Sequence, residues 1–430
     1  MYSAYITTLK GLRKHSNADR LQCCLVFGNN VIVDLSYKDG QRVIYFPADG
    51  QLSEEFCEEN NLVRKKDENG NNIGGYLDPN KRNITALKLR GEKSDGLVLP
   101  IEVLSKYTDI NKLKDGEQIT LLNGYEICKK YIPVQNVKDK KKVSSKKIVQ
   151  KKVVSYPFFK QHSDTAQLAY NENAFRKGDT CYITLKMHGT SARTSTALEV
   201  TKKRRKLPFL KNKETRRYKC VSGTRRTVLK DFNGGYYGDD TFRQKYHNFF
   251  KERLPKGVEI FYEIVGYVNE NKTIMGKCNN KKLKDKDFVK KYGEETVFSY
   301  GCEPGQSDCY VYRMTMTNED GIVVELPWEQ VQIECEKMGV KCVPTFEKFL
   351  FTTWEDLMKR VEKYYEGTDP IGKTHIREGV VVRIDNREKF TAYKHKGFEF
   401  KVLEGIIKEN ADAPDMEEAE DLIANGENNE

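Results

Sequence analysis

No apolar run in this 430-residue chain is long enough to cross a bilayer as a helix, so no membrane partner is expected. Residues 1–10 lack the basic-then-apolar pattern of a secretory signal. There is no internal repeat and no collagen-like or glutamine-rich tract. The eleven cysteines are odd in number, scattered from Cys23 to Cys342, and never spaced as CxxC. Cys302 and Cys309 have no matching His/Cys pair nearby. These absences argue against a disulfide framework and a structural zinc site. They point to a reducing compartment, cytoplasmic or nuclear.

What is present suffices for real cores, and the length predicts two or three domains. The net charge of +11 understates the basicity of the body. Residues 409–430 carry nine acidic residues and no basic one, so the rest of the chain carries +20. Such a body suits a polyanionic partner, nucleic acid first, although solvated lysine-rich faces would give the same count.

Composition shifts divide the chain. Residues 1–134 show short apolar runs separated by turn signals, such as Gly28-Asn29-Asn30 and Lys38-Asp39-Gly40, which predicts a small β-barrel or sandwich. Residues 135–155 are rich in Lys, Ser and Val and read as a basic linker. Residues 156–408 mix strands with helices near 240–253 and 353–365 in an α+β pattern. Residues 409–430 form an acidic tail.

Four segments of the second domain carry candidate chemistry. Cys181, Ile183 and Leu185 alternate with Tyr182, Thr184 and Lys186, predicting a half-buried strand that ends at His188-Gly189 and presents Lys186 on its non-core face. In 258–266, period two puts Glu259, Phe261 and Glu263 on one face; an edge strand with solvated charges would look the same. Glu378 precedes the run Val380, Val381, Val382, a position suited to a hard metal ion or a sugar hydroxyl, or to an ordinary flanking charge. Ala392, Lys394 and Lys396 share a face, and two ammonium groups so close invite a phosphate or else mark a solvated edge.

Singly these are ambiguous. Their order, Lys-x-His-Gly from Lys186, Tyr-Glu-Ile-Val-Gly around Glu263, Glu-Gly-Val-Val-Val from Glu378, then Lys-x-Lys at Lys394, resembles motifs I, III, IV and V of covalent nucleotidyltransferases. The stretch 308–314 with Tyr312 looks like motif IIIa. The resemblance covers the second domain and is closest to ATP-dependent RNA ligases. It implies a ligase-type domain of antiparallel sheets flanked by helices.

By motif position the resemblance implies that Lys186 forms lysyl-AMP, Tyr312 stacks on adenine and Glu263 binds ribose. Glu378, with Glu263, supports the metal, while Lys394 and Lys396 hold the α-phosphate. Arg193, Arg225 and Arg226 look like nucleotide-contacting arginines, and His162 and Thr165 sit where such ligases contact the nucleotide. His188 and Gly189 close the first motif. His188 stands where DNA ligases and capping enzymes carry Asp, and a structural role there is as open as a catalytic one. ATP and Mg2+ or Mn2+ are the implied cofactors. A free lysine, with a pKa near ~10.4, is a poor nucleophile at neutral pH, and cationic neighbours favour the neutral amine.

Too few residues follow Lys396 for the OB domain of DNA ligases and capping enzymes. Instead His15-Ser16-Asn17-Ala18-Asp19-Arg20-Leu21, Phe46-Pro47 and the segment 87–91 resemble OB modules that bind tRNA. An N-terminal OB-like domain followed by a ligase domain implies joining of 3′-hydroxyl RNA to a 5′-phosphate, as in nick repair by a monomer on a duplex. Lys10, Arg13, Lys14, Lys88 and Arg90 are candidate RNA contacts there. Lys203, Arg204 and Arg205 belong to a second basic track at 202–219. A GTP-using capping enzyme and a non-catalytic RNA-binding protein are the alternatives.

Overall fold

The computed structural model describes residues 2–71, 73–133, 152–160, 162, 164–203, 213–229, 231–232 and 237–409. Most of the basic linker, the tail from residue 410, Arg204, Arg205 and the side chain of Lys203 lie outside the described residues. The fold is α+β, as the sequence reading expects, with antiparallel sheets dominant. Among the described residues no helix is long and apolar enough to cross a membrane.

The chain forms two units. The first comprises Met1–Pro133, Ala166–Glu172 and Lys396–Asn410; the second comprises Val134–Thr165, Asn173–His395 and Ala411–Glu430. Two short segments of the stretch read as the second domain thus group with the first unit.

In the first unit, strands Leu97–Pro100, Arg42–Phe46, Ala4–Thr8 and Gln118–Ile119 form one sheet in that order. Lys10–Lys14, Leu21–Val26 and Asn29–Asp34 form another, and Cys128–Lys130, Gly50–Leu52 and Asn83–Ile84 a third. The sequence pattern suggested a small OB-like barrel or sandwich; these small antiparallel sheets are compatible with that, although among the described residues the ladders close no barrel. The reason lies in the strand Arg42–Phe46, which is buried on both faces. Val43 and Tyr45 feed one apolar cluster while Ile44 and Phe46 feed another. A strand between two cores loses the in–out alternation that a thin barrel wall would show. His15 shapes the following turn, because Nδ1 accepts from the Asn17 amide at 3.0 Å and Nε2 lies 3.0 Å from the Leu89 carbonyl. The helix Phe398–Glu409 is tied to this unit by Lys88–Glu399 (3.0 Å), Lys401–Asp95 and Lys408–Asp49 (both 2.5 Å).

In the second unit a large sheet runs Lys152–Ser155, Thr190–Lys203, Val258–Asn269, Ser307–Thr317, Val323–Glu325, and Lys213–Gly223 pairs with Thr190–Lys203. A second sheet orders Thr391–Lys396, Gly379–Ile384, Thr180–Lys186 and Thr345–Leu350. The Lys186 strand lies inside the second sheet, and after three intervening residues the chain enters the first at Thr190. That turn is where the site is built. The helices expected near 240–253 and 353–365 are Thr241–Lys251 and Trp354–Glu362; the Thr353 side chain caps the latter by accepting from the Asp356 amide.

The half-buried strand expected at 180–186 is instead buried on both faces, Tyr182 and Thr184 included. It lies between two neighbours, pairing with Gly379–Ile384 and Thr345–Leu350, and the Thr184 hydroxyl donates to the Val381 carbonyl at 3.3 Å. Glu259 and Glu263 do not sit on an edge. Their strand is interior, paired on both sides, and both carboxylates are buried.

Candidate active site

Lys186 ends its strand opposite Gly379, so its ammonium meets the carboxylate preceding that glycine. Nζ lies 2.6 Å from Oε1 of Glu378, whose side chain is only 2% exposed against 21% for the lysine. A charge-assisted contact this short fixes the amine beside the carboxylate. His188 brings its Nδ1 within 3.9 Å of Glu378 Oε2, and its ring rests edge-on against Phe298 at 4.6 Å. The His188 amide donates to the Tyr300 hydroxyl at 2.7 Å. Tyr300 is buried, which pushes its phenol well above the usual range, so it keeps its proton. Gly189 fits because a Cβ there would lie 2.3 Å from the Ile264 carbonyl oxygen and 2.9 Å from Glu263 Cγ. Close packing of turn against strand thus requires this glycine.

Lys186 opens on a cleft lined by both aromatic and polar side chains. Tyr312, Trp328 and Phe390 give it aromatic walls; His162, Thr165, Ser191, Arg225, Glu263 and Arg383 give it polar groups. Ser191 and Tyr312 fix each other through their hydroxyls at 3.1 Å. Arg383 is buried and held by Asp385 at 2.9 Å and the Tyr312 carbonyl at 3.2 Å. Burial, reinforced by Arg313, Arg225 and Arg193, pushes the His162 imidazole down to about 3, so it is neutral at physiological pH.

The structure therefore brings Lys186, Glu263, Tyr312, His162, Thr165 and Arg225 around one cleft, with Glu378 and His188 at its lysine end. Arg193 is placed differently. It is 1% exposed, stacks on Phe159 at 3.8 Å, and donates to Glu259 Oε1 at 3.0 Å, to the Thr224 carbonyl at 2.9 Å and to the Lys160 carbonyl. Its donors hold the sheet to the loop beside it and do not line the cleft. Burial raises the Glu259 carboxyl to about 7 against the pull of this guanidinium. Arg226 lies beside Arg225, and both pair with Asp164, at 3.4 and 2.5 Å. Lys394 stays half-buried on its strand, and Lys396, in the first unit, pairs with Glu404 at 2.8 Å. Lys14 and Arg90 are exposed, whereas Lys88 is engaged by Glu399.

Several side chains of the site were not singled out in the sequence. Arg313, Arg383 and Phe390 lie inside or beside the recognised segments and could have been found there. Phe298 and Tyr300 fall between motifs, where no spacing signals them.

A model of the RNA ligase family matches residues 179–403, just over half of the chain. The chain belongs to the RNA ligase family. Solved structures of an RNA ligase from Naegleria gruberi share its fold. A lysine-to-alanine mutant of that enzyme with ATP and Mn superposes with a TM-score of 0.56 at 16% identity, covering 93% of this chain and 98% of that one. The form with PPi gives 0.55 at 17% identity, covering 95% and 98%. At such identity the likeness is one of fold. No curated protein sequence matches. Family membership makes this RNA ligase an enzyme that acts on RNA ends.

Proposed function

We propose that this RNA ligase uses ATP to join a 3′-hydroxyl RNA end to a 5′-phosphate end, through lysyl-AMP on Lys186 and a 5′-adenylylated RNA. The observation that carries the reading is the Lys186 amine, 2.6 Å from buried Glu378, at the end of an aromatic-walled cleft. In the first step the neutral Nζ attacks the α-phosphorus and the bond to the bridging oxygen of pyrophosphate breaks. The proton shed by Nζ has the Glu378 carboxylate within reach. In the second, an oxygen of the RNA 5′-phosphate attacks the same phosphorus and the lysine amine leaves. In the third, the RNA 3′-hydroxyl attacks the 5′-phosphate and AMP departs.

Tyr312 and Phe390 supply faces for the base, Glu263 an acceptor for a ribose hydroxyl, and Arg225 a cation for the phosphates. Lys394 and Lys396 are assigned to phosphate contact by their motif alone. Glu263 and Glu378 would hold a Mg2+ or Mn2+ ion. Among the described residues no three His, Cys, Asp or Glu side chains cluster tightly enough to cage a metal unaided. Two carboxylates fit a hard ion that completes its shell with phosphate oxygens and water. Such an ion would neutralise triphosphate charge. Exposed Lys14 and Arg90 would contact the RNA, for which a nicked duplex is the proposed form.

Intact-protein mass spectrometry tests this reading. Wild type and Lys186→Ala are incubated with ATP or GTP and a divalent metal. An AMP-sized addition on wild type alone is expected. Lys186→Ala should still seal RNA that already carries a 5′-adenylate, since the third step does not use the amine as nucleophile. A GMP-sized addition, or AMP on the mutant, would overturn the assignment.

A further inference from the structure

His162 is held in one chemical form by a relay behind the cleft. Its Nδ1 lies 2.9 Å from Nη1 of Arg313. A guanidinium has donors only and keeps its charge, so Nδ1 must accept. The imidazole is then neutral, with its proton on Nε2. Arg313 is itself locked. Nε and Nη2 donate to the two oxygens of Glu325 at 2.9 and 2.8 Å, and its plane packs over Phe261 and Phe390 at 4.5 and 4.8 Å. The His162 backbone is pinned as well, its amide donating to the Arg225 carbonyl at 2.9 Å. Among the described residues nothing bonds Nε2, and the residue lines the cleft.

We propose that Glu325 and Arg313 are positioning residues that present His162 as a neutral Nε2–H donor to a ring nitrogen of the purine bound in this cleft. The inference rests on the nucleotide reading above and assigns one contact within it. The surroundings favour a base over a phosphate. The His162 ring is flanked by Phe261 at 4.9 Å, Tyr312 at 5.9 Å and Phe390 at 6.0 Å, an aromatic lining that suits a heterocycle. Arg313, Arg225 and Arg193 oppose a charge on the ring and Asp164 favours one, while Glu325, Asp164 and Glu259 pair with the three arginines.

The test uses full-length protein labelled with 15N-histidine, with the His162 signals assigned by their loss in His162→Phe. The expected spectrum shows the Nε2–H tautomer, with no titration between pH 5 and 8. In Arg313→Met, Nδ1 loses its donor and the one cation bonded to the ring, so mixed tautomers or titration should appear. Glu325→Gln, a smaller change, should shift the same signals in the same sense if Arg313→Met does not fold. An Nδ1–H tautomer or a titrating His162 in wild type would overturn the relay. So would variants with unaltered signals.

Adenylylation with 1-deaza-, 3-deaza- and 7-deaza-ATP tests the base contact. Wild type should lose about three- to tenfold in KM for one of the three, with kcat kept, and His162→Phe should lose that preference. If wild type treats all three as it treats ATP, or if His162→Phe still discriminates, the contact is wrong. Failure of wild type to take AMP from ATP at all would instead overturn the nucleotide reading, and the base contact with it. The tautomer measurement separates the two failures.

Discussion

Replacing Gly189 by alanine should damage the fold and the site together, and the geometry gives the size of both effects. The new Cβ would lie 2.3 Å from the Ile264 carbonyl oxygen, 2.8 Å from Val265 Cγ1 and 2.9 Å from Glu263 Cγ. Ordinary contact requires about 1 Å more on the carbonyl side, and a carbonyl in a paired strand cannot rotate away. The next residues are committed to the ladder, Thr190 opposite Ile264 and Ser191 opposite Glu263. Relief must come from parting the turn and the strand. Overpacking of this kind costs about 2–3 kcal/mol. The same displacement moves Lys186 relative to Glu263, and a 1 Å error in a reacting geometry costs on the order of 100-fold in rate. Urea denaturation reads the first effect, and the rate of AMP attachment followed by intact mass reads the second. A Gly189→Ala protein with wild-type midpoint and rate would refute the steric argument and the placement of the turn.

Gly405 is the contrasting case. It lies inside the helix Phe398–Glu409, and a Cβ there would meet only Thr85 at 3.8 Å, so Gly405→Ala should raise stability by about 0.5–1 kcal/mol in the same assay. Glu259→Ala would leave the buried Arg193 charge uncompensated. It should cost about 3–5 kcal/mol, measured by denaturation, with Glu259→Gln costing less. The thiols report strand burial. Burial pushes Cys24 and Cys57 up to about 11 and Cys128, Cys181 and Cys278 up to about 12. In native protein at pH 7.5 iodoacetamide should spare these five while it labels half-buried Cys302 and Cys342 first, as peptide mapping would show. Early labelling of Cys181 would contradict the two-sided burial of the Lys186 strand.

The sequence made the site legible wherever a residue's work is done by its strand position. Lys186, Glu263, Tyr312 and Glu378 stand out because each sits at a strand end or beside an apolar run, and the fold brings them to one cleft. Alternation misled where polarity was taken for exposure. Tyr182 and Thr184 are polar in a list of residues, yet the strand they occupy is covered on both faces, and Thr184 satisfies its hydroxyl within the sheet. Arg193 shows the other limit. Its type suggests a phosphate ligand, but its donors are taken by Glu259 and two carbonyls, 31 to 66 residues away, and no local pattern reports such partners. The same separation hides the tyrosine that holds the nucleophile's turn, 112 residues beyond His188. For His162 it hides the protonation state itself, which is set by an arginine 151 residues downstream. A residue's identity limits the chemistry open to it. Which nitrogen carries the proton is decided by the partner the fold brings, so the chemical form of His162 could be stated only once Arg313 and Glu325 had been placed behind it.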